Sequence, residues 1–226
     1  MVLCLETATK NCSVSLVHAG EILSSTSERG EKFVHGERLH VLIKELLEGQ
    51  NLQVADLEAV CVGKGPGSYT GLRIGVSTAK GLCYAASIPL WSVPTLGCFD
   101  AAELEEGATV ISVIDARRDE VFAQVWQKVG GKWSPETAVE SVVVDTESFS
   151  AYYNRNAVIV GDCVSKVARL LGDNASEFSI GEDHFPDAKY MVNMLTSAQH
   201  QMEDVAYFEP FYLKDFVAEK SKKKWL

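Results

Sequence analysis

Val2-Leu3-Cys4-Leu5-Glu6-Thr7-Ala8-Thr9-Lys10-Asn11-Cys12-Ser13-Val14-Ser15-Leu16-Val17 is the stretch that decides the fold. Val2 to Leu5 is apolar, Glu6 to Asn11 breaks the run, and Cys12 to Val17 alternates with a period of two, so the stretch reads as a hairpin of two strands. His18-Ala19-Gly20 supplies a second turn, and Glu21 to Ser27 a third strand that completes an antiparallel meander. After the polar loop Ser27 to Lys32 the period changes. Leu39, Leu42, Ile43, Leu46 and Leu47 fall at helical spacing, which predicts an amphipathic helix from about Glu37 to Gly49.

Glu58 to Val62 reads as a buried strand, followed by the glycine loop Gly63-Lys64-Gly65-Pro66-Gly67 and a helix from about Ser68 to Ala86. A short strand, Leu90 to Val93, leads to a helix over 95–105. Near residue 107 the series starts again: Thr109 to Ile114 is apolar, Asp115 to Asp119 turns, and Glu120 to Gln127 alternates. Ser141 to Val144, a helix over 146–153, the strand Ala157 to Val160 and the helix Val164 to Leu171 follow. Gly172 to Asp187 is polar and turn-rich, and 188–202 resumes a helical pattern. Glu6 and Asp115 close corresponding strands 109 residues apart, close to half of the 226-residue chain. The chain is therefore read as a duplicated α/β protein, with one lobe at 1–105 and a second at 106–226.

The composition is that of a globular domain, with 46% hydrophobic and 23% charged residues. A net charge of −10 repels phosphate backbones and argues against a stand-alone nucleic-acid binder. The six cysteines form no CxxC pair and read as reduced core thiols. The start MVLCLET has no basic leader and no long apolar run occurs, so neither signal peptide nor membrane span is expected and the protein is placed in the cytoplasm. Lys220, Lys222, Lys223 and Lys224 form a short basic tail.

Gly63 to Arg73 is a glycine-rich strand-to-helix turn whose amides could cradle an anion, or which could be a tight packing turn. It matches neither the dinucleotide fingerprint nor the P-loop pattern, and Ser68 is not in a nucleophile elbow. Gly71, Gly75, Ala79 and Cys83 recur every four residues as a ridge of small side chains, which either packs inside its own lobe or meets a helix of another subunit. Leu72, Val76 and Leu82 can face the sheet. His35 and His40 are five apart and ~140° out of phase on a helix, unlike a zinc pair. Glu6 and Asp115 stand where an ATP-binding duplicated fold places metal carboxylates, against the alternative that acids begin turns. Glutamate at 6 is a methylene longer than such a site prefers.

Three segments carry a resemblance: Leu5-Glu6-Thr7-Ala8-Thr9 through Leu16, Gly65-Pro66-Gly67-Ser68-Tyr69-Thr70-Gly71-Leu72-Arg73 through Leu82, and Ile114-Asp115-Ala116-Arg117-Arg118-Asp119-Glu120 through Ala123. Together they closely resemble the bacterial TsaB (YeaZ) family, and Pro210-Phe211-Tyr212-Leu213 looks like its C-terminal Pro-x-Tyr-Leu element. The resemblance implies the actin-like ATPase (ASKHA) fold, an α/β architecture of two duplicated RNase H-like lobes with central mixed sheets. It also implies a non-catalytic paralogue of TsaD, the subunit that binds metal and transfers threonylcarbamoyl to the adenosine beside the anticodon of tRNA.

Family members pair with TsaD through N-lobe helices, and the ATPase TsaE joins them. The implied role is a dimerisation and activating subunit with no catalytic residue, metal or cofactor of its own. ATP and magnesium would be held by the partner subunits, tRNA met only through the complex, and a homodimer formed when the chain is alone. On this reading the partner interface comprises Leu39, Leu42, Ile43 and Leu46 of the first helix and Gly71, Arg73, Gly75, Thr78 and Ala79 of the second. The chain departs from the family's usual Asp-Thr-Ser at Glu6-Thr7-Ala8, and it lacks the i, i+4 histidine pair of TsaD. The rival reading is an enzyme of the same fold, a small-molecule kinase or a glycoprotease-like peptidase.

Overall fold

A computed structural model describes residues 1–30, 35–100 and 103–214. The opening stretch forms the expected meander of β1 (Val2–Glu6), β2 (Asn11–His18) and β3 (Glu21–Arg29). The chain then runs through α1 (His35–Gly49), β4 (Ala59–Gly63), α2 (Tyr69–Ala86) and β5 (Leu90–Val93). β4 lies parallel to β1 and β5 parallel to β4, so these five strands take the order β3-β2-β1-β4-β5.

The second half repeats this topology. β6 (Thr109–Asp115), β7 (Glu120–Val129) and β8 (Lys132–Pro135) form an antiparallel meander, with β9 (Glu140–Val143) also paired to β7. β10 (Val158–Gly161) runs parallel to β6, and β11 (Ser179–Ile180) parallel to β10, giving β8-β7-β6-β10-β11. α3 (Val164–Leu171) takes the place between the last two strands that α2 takes in the first lobe. Both sheets are thus a three-stranded meander extended by two parallel strands, the duplicated lobe of an actin-like α/β fold.

β1 and β4 are buried along their whole length because both faces of that sheet are covered, as parallel strands require. On the outer face Leu3, Leu5, Val60 and Val62 meet Leu39, Leu42 and Leu46 of α1 and Val76 and Ala79 of α2. On the inner face Val2, Cys4, Ala59 and Cys61 share one core with Phe99, Val110 and Trp126, so the two sheets are joined by packing. α3 covers the outer face of the second sheet through Val164, Val167 and Leu171. All six cysteine thiols are unpaired and buried.

Several expected elements are shorter or different. Among the described residues of 95–105, a 3-10 turn at Thr95–Gly97 stands in place of the expected helix, after which Phe99 is buried in the inter-sheet core. The expected helix over 146–153 is reduced to the 3-10 turn Ser150–Tyr152, bounded by Phe149 and Asn154 in the left-handed region, at φ 63° and 60°, which stops helix propagation. The helical pattern of 188–202 divides into a 3-10 turn at Ala188–Tyr190, α4 (Met191–Thr196) and, after left-handed Ala198, a strand β12 (Gln201–Glu203).

β12 pairs antiparallel with β5, at the edge of the first sheet. This corrects the division that assigned all of 106–226 to the second lobe. Lys80 Nζ donates to the carbonyls of Ala206 and Phe208, and the Phe211 amide donates to the Lys64 carbonyl, so residues 201–211 strap the first lobe. The basic tail from Lys220 to Lys224 lies outside the described residues.

Candidate functional site

The glycine loop is built for close packing. The Gly65 amide donates to Thr95 Oγ1 at 3.1 Å, the Ser68 amide to the Ala8 carbonyl at 2.7 Å, and the Gly71 amide to Ser68 Oγ at 3.3 Å as the N-cap of α2. Three amides that an anion would use are therefore satisfied inside the chain. Gly65 sits at φ +107°, and a Cβ on Gly67 would lie 2.5 Å from the Ala8 carbonyl oxygen. Of the two readings of this loop, the packing turn is the one the structure contains.

α2 then crosses directly over Thr7. Thr7 Oγ1 donates to the Gly71 carbonyl at 2.9 Å. A Cβ on Gly71 would run into the Thr7 carbonyl oxygen, and one on Gly75 into Thr7 Oγ1. The small-residue ridge is the seat of α2 on its own sheet, which corrects its assignment to a subunit interface. Leu39, Leu42, Ile43 and Leu46 are likewise buried in the core of the first lobe, as are Gly71, Gly75, Thr78 and Ala79. The physical reason is that both the aliphatic and the small faces of α2 meet the sheet and its turn, leaving no side chain there for a partner. Of the nine expected interface residues only Arg73 is exposed.

The free surface of the two helices lies on their other side. α1 exposes Glu37, His40, Lys44, Glu45 and Glu48, with Val41 half-buried. α2 exposes Thr70, Arg73, Ser77, Gly81 and Tyr84, with Ile74 half-buried. A Cβ on Gly36 would lie 4.0 Å from Ile74 Cδ1, so the two helices touch and their outer sides form one face. Arg73 stacks on Tyr69 at 4.3 Å and donates to the Tyr212 hydroxyl, which ties this face to the C-terminal strap. Sequence reasoning did not place Ser77, Gly81 and Tyr84 on the exposed side of α2. Their signal was the i, i+4 complement of the ridge, on the side away from it.

Beneath α2, Glu6 is fully buried. Its Oε1 accepts from the Thr7 amide at 2.8 Å and the Ala8 amide at 2.7 Å. Its Oε2 has no hydrogen-bond partner and abuts Gly63, whose lack of a side chain makes room for the carboxyl. Burial pushes the carboxyl up to about 7, against the opposing pull of the two amides and of Thr95 and Cys98. One oxygen committed to amides and the other walled by backbone leave no open side for a hydrated Mg²⁺.

Asp115, in the matching position of the second lobe, is exposed. Its Oδ1 accepts from the Arg117 amide at 3.2 Å and from Lys166 Nζ, while its own amide donates to Asp162 Oδ1 at 2.8 Å. Burial pushes the Asp162 carboxyl up to about 6. Both lobe-closing acids thus do turn chemistry, the alternative weighed against metal binding. His35 is buried with Nε2 against the Thr9 carbonyl at 2.7 Å, while His40 faces out from α1, so the two do not converge. Among the described residues no group of three or more His, Cys, Asp or Glu is placed to hold a metal ion, and no helix is long and apolar enough to cross a membrane. Between the lobes lies a cavity of about 200 Å³ walled by Leu96, Phe99, Ile114 and Val160, with Asp100 and Tyr190 hydrogen-bonded to each other among its lining residues.

Comparison with known proteins decides the family. The model of the family described as TsaD, tRNA N6-adenosine threonylcarbamoyltransferase, matches residues 32–222. The tRNA threonylcarbamoyladenosine biosynthesis protein TsaB of Haemophilus influenzae is 30% identical, over 96% of this chain and 94% of its own. The chain belongs to the TsaB (YeaZ) family. The protein of the same name from Escherichia coli is 29% identical over 96% of each chain. The solved structure of YeaZ from Pseudomonas aeruginosa shares the fold, with a TM-score of 0.78 over 94% of this chain and 99% of that one, at 24% identity.

Proposed function

We propose that this chain is a non-catalytic, dimerising and activating subunit in tRNA N6-threonylcarbamoyladenosine formation, and that it docks a TsaD-type transferase subunit through the outer face of α1 and α2. The observation that carries the reading is that helix pair: two adjacent helices on the first lobe present a continuous exposed side centred on Arg73, Ser77 and Gly81. Family membership supplies the pathway, since the curated relatives are named for threonylcarbamoyladenosine biosynthesis. The internal use of Glu6, Asp115 and the glycine loop supports a subunit without chemistry of its own. ATP, magnesium and the TsaE-type ATPase belong, on this reading, to the partner side of a cytoplasmic complex. The partner also supplies the main tRNA surface, because a chain of net charge −10 repels a phosphate backbone.

Size-exclusion chromatography with light scattering, on the chain alone and mixed with TsaD from the same source, tests this. The expected result is a one-to-one heterodimer replacing a homodimer built on the same helix face. Ser77→Trp should weaken that complex by ~10-fold or more, on the scale of a disrupted interface centre, with the melting temperature unchanged. No heterodimer, with ATP present, overturns the reading.

A further inference from the structure

Docking has no use for the Glu6 carboxyl buried under α2, and its surroundings give it a different role. Glu6 holds its own turn together, because Oε1 accepts from both Thr7 and Ala8 amides. That turn in turn seats the helix, through Thr7 Oγ1 on the Gly71 carbonyl and through contact of Thr7 with Gly71 and Gly75. Oε2 makes no hydrogen bond, with the Gly63 backbone against it and with Thr95 and Cys98 near enough to pull on the carboxyl. We propose that the Glu6 carboxyl is a proton-operated latch: protonated, it seats the Thr7 turn under α2, and ionised, it loosens that seat and with it the helix face offered to a partner. The docking half rests on the function proposed for α1 and α2, whereas the latch itself does not.

The groups facing Glu6 leave it alone in this role. β1 and β4 bring Cys4 and Cys61, β2 brings Cys12, and the 3-10 turn brings Thr95 and Cys98, with Asp187 acting on Cys98 from beyond. α2 brings Gly71 and Gly75 against Thr7, neither of which titrates, and His35 of α1, whose ring packs against Gly71, is held below its ordinary pKa by burial. Burial pushes the Cys12 thiol up to about 12 and the Cys98 thiol well above its ordinary value, so these stay neutral. An added proton at Oε2 removes the charge from an oxygen that makes no hydrogen bond in its pocket. Losing it leaves a buried charge whose relief is to turn away from Gly63, taking Oε1 off the two amides. The carboxyl's pKa of about 7 places this event in the neutral range.

The test uses the full chain with ¹³C-labelled glutamate, amide hydrogen exchange corrected for intrinsic rates, and the Glu6→Gln variant, whose amide mimics the protonated acid. Protection of residues 71–79 in the unaltered chain should fall roughly tenfold or more between pH 6 and pH 8, and stay level in Glu6→Gln. Protection independent of pH in the unaltered chain overturns the latch. Should Glu6→Gln fail to fold, the ¹³C carboxyl shift of the unaltered chain decides, and a midpoint near the ordinary 4.5 overturns it. Affinity for the TsaD-type partner, measured at both pH values, should fall with protection. Loosening of α2 with no partner binding at either pH supports the latch and sinks the docking reading. Binding without loosening does the reverse, and loosening with unchanged affinity overturns the link between them.

Discussion

The turns that close β1 and β6 occupy the same place in two copies of one topology, yet their acids live in opposite surroundings. Glu6 points inward under an 18-residue helix and is held near neutrality by burial, whereas Asp115 stays in water and pairs with Lys166 beside an eight-residue helix. The neighbouring strand ends in glycine both times, but for different reasons. Gly63 leaves room for the Glu6 carboxyl, while Gly161, at φ +144°, lets the Val113 carbonyl approach. The slot filled by the 15-residue α1 in the first lobe holds only β9 and a 3-10 turn in the second. Strand order alone therefore does not fix the chemistry of a position. The layer packed on top of it does.

The comparison can be broken first at its glycines. Gly161→Ala should cost several kcal/mol, about 3 or more, because the residue is strained at that φ and its Cβ would run into the Val113 carbonyl; thermal unfolding measures it. Gly75→Leu should be of similar size in the first lobe, since the side chain would displace Thr7 and lift α2. Gly81→Leu, on the same helix with nothing within 4 Å, should be neutral or slightly stabilising, and equal losses for the two would contradict the seating of α2.

The acids come next. An unfolded glutamate titrates at 4.5 and Glu6 at about 7, so between those values the unfolded chain binds fewer protons. The favourable contribution is complete below pH 4.5 and is lost as pH rises to about 7, a change of ~3 kcal/mol. Glu6→Gln should flatten that part of the pH–stability curve in urea unfolding. Asp115→Asn removes a pair between exposed Asp115 and half-buried Lys166 and should change stability by about 1 kcal/mol, well below the effect of the buried acid.

Much of the fold was legible because burial follows local period. The alternation of Cys12 to Val17 and the spacing of Leu39, Leu42, Ile43 and Leu46 gave β2 and α1, and Val164 to Leu171 matches α3 residue for residue. The site was less legible. A ridge of Gly71, Gly75 and Ala79 announces that something comes close, but spacing does not say whether that is a partner helix or Thr7 of the same chain. β12 escaped for a related reason: three residues hold a sheet edge only because β5 waits there, more than 100 positions earlier.

The sequence by itself settled β1 to β5 with α1 and α2, the β6–β7 hairpin, α3, the half-length repeat and the family, because periodicity and motif are properties of neighbouring residues. Only the tertiary structure decided which side of α2 is outward, where the C-terminal strap lies and that Glu6 is deprived of water. Each of those depends on contacts between residues far apart in the chain, which set burial and therefore charge, and no local spacing encodes them.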